Sequence, residues 1–110
     1  MINILIERNS DHDIQAYSVA GHSETAAHGE DIVCAAVSAL AQTTLLGIHH
    51  VLGQNPTYRM EEGLLVYRMM DQTTPEQRKE ANILLETMLL GFENIRQQYP
   101  EVITIENEEV

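Results

Sequence analysis

The sequence has no tryptophan, one phenylalanine, one cysteine, three prolines and only 6 Lys+Arg against 17 Asp+Glu in 110 residues. Each shortage excludes something. A lone cysteine, Cys34, forms no intrachain disulfide, so the chain must rest on a hydrophobic core and reads as cytoplasmic. Three prolines and six glycines exclude collagen-like and proline-rich linker sequences. A formal charge of −11 without a Lys/Arg cluster excludes direct nucleic-acid binding, which depends on basic side chains neutralising phosphate. The same charge attracts a basic peptide or protein. Charged residues are also missing from Ile32 to Tyr58, a stretch long enough to raise the question of a membrane span. Ser38, Gln42, Thr43, Thr44, His49 and His50 interrupt it and no basic flank orients it, so no membrane is expected. The N-terminus reads as a strand rather than a signal peptide.

What is present is a 44% hydrophobic chain of a size that makes one domain spanning residues 1–110. Alternation predicts a first strand at Ile2–Arg8, with Ile2, Ile4 and Ile6 on one side. After Asn9, Ser10 and Asp11 as turn residues, a second strand at 13–20 alternates Ile14, Ala16 and Ser18 against Tyr17 and Val19. A polar loop with two glycines follows from Gly21 to Glu30. Asp31 then stands as N-cap to a helix running to about Leu52, with Val33, Val37, Leu40, Ala41, Thr44, Ile48 and Val51 on its stripe. A hairpin is expected from Thr57 to Met70 around Glu62-Gly63. Thr74, Pro75, Glu76 and Gln77 make a capping box for a second helix that ends before Pro100. A last strand, 101–106, precedes an acidic tail. The order ββαββαβ predicts an α+β domain with two long helices packed on a largely antiparallel sheet. Gly47 and Gly91, each inside a helical apolar run, permit close helix-helix approach.

The chemistry centres on Cys34. A cysteine in the first turn of a helix feels unpaired backbone N–H groups and the positive end of the helix dipole, both of which favour thiolate. Lowering a thiol pKa by about two units requires roughly 2.7 kcal/mol. An exposed helix end supplies about 0.3–1 kcal/mol, so a neighbouring imidazolium must supply most of it. His22, at the end of the second strand, and His28, further along the loop, are the candidates, and His22 is the better held. The alternatives at this point are a Cys34 that is simply packed in the core, and a metal or redox site built from His22, His28, Cys34 and His12, whose spacing matches no common zinc motif.

Gly21-His22, followed by a glycine-containing loop and the block Gly29-Glu30-Asp31-Ile32-Val33-Cys34-Ala35-Ala36-Val37-Ser38-Ala39-Leu40, closely resembles the signature of the bacterial ribosomal-processing cysteine proteases, the Prp family. The order of strands and helices is similar over essentially the whole chain. The resemblance implies a Cys/His endopeptidase that removes the N-terminal extension of large-subunit ribosomal protein twenty-seven. It implies His22 and Cys34 as catalytic dyad and Asp31 and Ser38 as supporting members of the motif. It also implies a homodimer and a flexible loop over the site; Gly21 and Gly29 are expected as loop and substrate-binding residues, and no cofactor or metal is expected. After the Gly-His pair the chain departs from the family pattern, carrying Ser23, Glu24 and Thr25.

Asp31 has two roles open to it, capping the helix or orienting His22. Ser38, one turn beyond Cys34, packs, back-bonds to a carbonyl or touches substrate. Backbone N–H groups around Ile32 to Cys34, or in the Gly29 loop, could receive an oxyanion. His49 and His50 read as surface or subunit-contact residues, and Met69, Met70 and Met88 as core fill. The rival to a protease is a non-catalytic dimeric ribosome-associated binding module with a buried structural cysteine.

Overall fold

The computed structural model describes residues 1–21 and 30–110, with the backbone alone at residues 30 and 31. The elements are β1 (Ile2–Arg8), β2 (Ile14–Ala20), α1 (Glu30–Leu46), β3 (Thr57–Glu61), β4 (Leu64–Arg68), α2 (Pro75–Gln98) and β5 (Ile103–Glu109). This is the expected ββαββαβ order. The strands lie β3-β4-β2-β1-β5. Every neighbouring pair is antiparallel except β1 and β5, which run parallel and make the sheet mixed.

Alternation places Ile2, Ile4 and Ile6 of β1, and Leu65 and Tyr67 of β4, on the covered face. In β2 the expected phase fails. Glu7 faces Ala16 while Arg8 faces Ile14, so Gln15 is an extra residue in the strand. That bulge reverses the alternation. Ile14 therefore shares the core with Tyr17 and Val19 instead of opposing them. Tyr17 stacks on its cross-strand partner Tyr67 with centroids 5.1 Å apart, and its hydroxyl donates to the Ala41 carbonyl of α1 at 2.8 Å.

Both helices pack on this one face. Residues Ile32–Val51 are long and apolar enough to cross a membrane by length and composition. Folded, they bury Val33, Val37, Ala41, Leu45 and Ile48 in the core. The helix changes character at Gly47, where residues Gly47–Val51 form a π turn closed by Leu52 N–H donating to the Gly47 carbonyl at 3.0 Å. The widened turn keeps Ile48 buried and swings Val51, expected on the buried stripe, out to 80% exposure. A Cβ on Gly91 would stand 2.9 Å from Leu40 Cδ1, and one on Gly47 3.2 Å from Leu84 Cδ1. The two Gly–Leu notches are two helical turns apart in each helix and run in opposite order, as antiparallel axes require. The expected role of both glycines is thus borne out.

The capping box of α2 is complete, Gln77 N–H donating to Thr74 Oγ1 at 3.2 Å and Thr74 N–H to Gln77 Oε1 at 3.0 Å. Strand β5 continues to Glu109, past its expected end, because its ladder with β1 carries on to the pair Arg8 and Glu109. The acidic tail is therefore mostly strand. Met69 and Met88 fill the core as expected, but Met70 is exposed beside a small cavity of about 200 Å³ lined by Pro56, Tyr67 and Gln77.

The Tyr67 hydroxyl is buried without a hydrogen-bond partner among the described residues. A buried polar group left unpaired is a cost, so Tyr67→Phe should hold or raise stability at pH 7 by up to about 1 kcal/mol. Tyr17→Phe should lower it by about 1 kcal/mol. Burial pushes the Tyr67 hydroxyl up to about 12, and burial together with the adjacent Tyr67 pushes Tyr17 up further. The unfolded chain ionises its tyrosines near pH 10 and the folded one does not. This contribution to stability is therefore intact below about pH 10 and is lost as pH climbs towards about 12. Urea unfolding from neutral to alkaline pH measures both effects, and Tyr67→Phe should flatten the alkaline fall. A Tyr67→Phe loss equal to that of Tyr17→Phe would show that the hydroxyl is satisfied.

Candidate active site

The end of β2, the start of α1 and the β3–β4 turn meet at one end of the sheet. Gly21, just past β2, donates its N–H to the Gly63 carbonyl at 2.9 Å, which ties the strand end to the hairpin. Between this tie and α1 opens a cleft of about 370 Å³. Cys34 and Ser38 line it from the helix, Gly21 from the strand end, and Met60, Glu62 and Leu65 from the hairpin.

Cys34 is a free thiol, half-buried, packed against the core on one side and open to the cleft on the other. It is not sealed in the interior. Helix α1 opens at Glu30, two residues earlier than expected, which puts Asp31 inside the first turn rather than at the cap. Cys34 is then the fifth helical residue instead of the third, and its N–H bonds back to residue 30. The field of the helix end fades beyond the first turn, so it acts on Cys34 less than expected. Helical side chains lean towards the N-terminus, which brings the sulfur back over that turn. The N–H groups still free for an anion are those of the first turn, and Cys34 N–H is not among them.

Ser38 is half-buried one turn beyond Cys34, on the same face. Its hydroxyl has no partner among the described residues, so it does not back-bond in the way Thr44 does to the Leu40 carbonyl at 2.8 Å. His22, His28 and Gly29, with the rest of 22–29, lie outside the described residues, as does the side chain of Asp31. Gly21, the residue before His22, lines the same cleft as Cys34.

His12 belongs elsewhere. It sits in the β1–β2 turn with φ of 67°, at the opposite end of seven-residue strands, roughly 20 Å from the cleft. It cannot share a metal with Cys34. Among the described residues no group of three or more His, Cys, Asp or Glu could hold a metal ion. His49 and His50 are exposed, with their rings edge to face at 4.6 Å. The sequence reading missed Gln42, Met60 and Glu62 as cleft residues. Gln42 could have been found, since it follows Cys34 and Ser38 at four-residue spacing along one helical face.

A sequence profile of the cysteine protease Prp family matches residues 1–104. The chain belongs to the cysteine protease Prp family. The ribosomal processing cysteine protease Prp of Bacillus subtilis (strain 168) is 29% identical over 107 residues, covering 96% of each chain. The crystal structure of the Staphylococcus aureus ribosomal processing protease Prp with a substrate peptide matches with a TM-score of 0.88 at 25% identity. It covers 98% of this chain and all of that one. A second S. aureus Prp structure, holding a covalently linked product peptide, matches with a TM-score of 0.83 at 26% identity, again over 98% of this chain. The chain is thus a cysteine protease of a ribosomal-processing family, and its fold is the Prp fold.

Gly21 is required by backbone geometry. Its φ is +105°, and a Cβ there would lie 2.3 Å from the Met1 carbonyl oxygen. Gly21→Ala should therefore cost about 2 kcal/mol or more, from backbone strain and a clash with main chain that cannot rotate away. The expected reading is a melting temperature lower by roughly 10 °C. A variant melting within a degree or two of the parent would mean that this turn relaxes freely.

Proposed function

We propose that this chain is an endopeptidase that removes the N-terminal extension of large-subunit ribosomal protein twenty-seven, with Cys34 as nucleophile and His22 as base and acid. The observation that carries the reading is that the only cysteine of the chain faces an open cleft. A covalently linked product peptide, as in the S. aureus relative, is what a thiol nucleophile leaves behind. The Cys34 thiolate attacks the scissile carbonyl, and the carbonyl oxygen becomes an oxyanion next to the N–H groups of the first turn of α1. His22 takes the thiol proton and returns it to the departing amine. Water then attacks the thioester, and His22 accepts its proton as the acid product and free thiol are released. That Gly21 lines the cleft supports His22 in this role, since the chain reaches residue 22 from the wall beside Cys34.

The charge of −11, with Glu62 at the rim of the cleft, suits a basic ribosomal protein, and cleavage of it should weaken as salt is added. The enzyme works in the cytoplasm as a homodimer. Ile83 and Leu90, both exposed and two turns apart on the outer side of α2, offer an apolar stripe for a second copy.

Cys34→Ala and His22→Ala should fold, bind the extended precursor and lose its cleavage by about a thousandfold or more, followed by mass spectrometry of the trimmed product. Iodoacetamide should alkylate Cys34 readily in the folded chain, because the thiol opens on the cleft and is not sealed in the core. Cleavage by Cys34→Ala at the parental rate would remove the thiol from the mechanism. Binding without cleavage by the parental chain would leave a binding module.

Asp31 is proposed to orient His22, since its place inside the first turn deprives it of the cap position. Asp31→Asn should then cut turnover about tenfold or more while the melting temperature stays within a few degrees. Loss of stability with turnover retained would instead restore the capping role.

A further inference from the structure

This inference rests on the peptidase reading and concerns how the cleft selects its peptide. The helices cover the inner face of β1, β2 and β4 but leave that of β3 bare. Tyr58 and Met60 pair across the ladder with Tyr67 and Leu65, so all four point to the helix side of the sheet. Tyr67 and Leu65 are 0% and 6% exposed, whereas Tyr58 and Met60 are 60% and 49% exposed. Two large apolar side chains about 7 Å apart thus lie open on a face that is elsewhere closed.

The bare face is continuous with the site, because Met60 also lines the cleft that holds Cys34 and Ser38. The alternate residues of the strand, Arg59 and Glu61, pair with each other at 2.9 Å, and Glu61 joins Met60 in lining the cleft, so the apolar shelf ends at an acidic edge that is already paired. As the edge strand, β3 also presents an unpaired row of backbone N–H and C=O groups, which suits an extended peptide. Tyr58 supplies a flat, rigid ring and Met60 an adaptable one-dimensional chain, a pairing that accepts a bulky apolar group of varied shape.

We propose that Tyr58 and Met60 form an apolar shelf that binds a large apolar side chain of the substrate peptide close to the scissile bond, the peptide lying extended along β3 into the Cys34 cleft. The shelf sets specificity, while the chemistry stays with the cleft.

The test uses the full-length chain carrying Cys34→Ser and a fluorescein-labelled peptide spanning the cleavage site of the host precursor of ribosomal protein twenty-seven. Tyr58→Ala and Met60→Ala should each raise Kd about tenfold, read by anisotropy. With Cys34 intact, the same substitutions should raise KM by a similar factor while kcat changes less than about threefold. Tyr58→Phe should restore binding, and Tyr58→Gln, similar in length but polar, should not. A peptide with its apolar residue nearest the cleaved bond changed to alanine should bind the parent about tenfold more weakly and no longer distinguish Tyr58 from Tyr58→Ala. Kd values within twofold of the parent for both variants would overturn the shelf. So would a shift in oligomeric state by sedimentation with peptide binding unchanged, which would assign the face to a second copy. Tyr58-dependent binding by a parental chain that fails to cleave would support the shelf and sink the peptidase reading alone.

Discussion

The position of Cys34 depends on how closely α1 can lie against α2. Leucine and glycine meet twice across the helix pair, Leu40 at Gly91 and Leu84 at Gly47, and each meeting leaves no room for even a methyl group without movement of the leucine. The antiparallel pair is narrow as a result. It covers β1, β2 and β4, and the Tyr17 hydroxyl bond to Ala41 pins α1 over the stacked tyrosines. A narrow pair of helices on a five-stranded sheet leaves one edge uncovered, and that margin becomes the cleft. Open space beside a thiol is what separates a reactive cysteine from a packed one, and here it follows from the size of two glycines.

Much of the fold is legible in the residues themselves. The alternation of Ile2, Ile4 and Ile6 marks β1, the Thr74–Gln77 capping box marks α2, and Glu62-Gly63 marks the hairpin turn, because each is a local preference unopposed by the rest of the fold. Three features escape for the opposite reason. The extra residue at Gln15 is invisible to a period of two until the partner strand fixes the register. The π turn after Leu46 and the continuation of β5 to Glu109 are likewise imposed by neighbours rather than by local sequence.

The site divides in the same way. Periodicity places Cys34 and Ser38 one turn apart on the same side of α1, but spacing cannot tell which side of a helix faces an opening. Only the meeting of α1 with the β3–β4 hairpin shows Cys34 half open, and only that meeting brings in Met60 and Glu62, distant in sequence. The motif around Cys34 therefore carries the family, and the geometry adds what lines the cleft. The side chains of Tyr58 and Met60 read as an ordinary strand alternation. Their exposure depends on the absence of a covering helix, which no local pattern records.

The parallel ladder between β1 and β5 joins Ile2 to Ile103, nearly the whole length of the chain apart. Closing so long a loop is slow, and the contact yields nothing until the last strand has been made. During synthesis, the N-terminal strand waits as an unprotected edge with Ile2, Ile4 and Ile6 already committed to one face. The order of translation thus delays completion of the sheet until β5 has been made, so a nascent copy that lacks β5 does not have the finished fold.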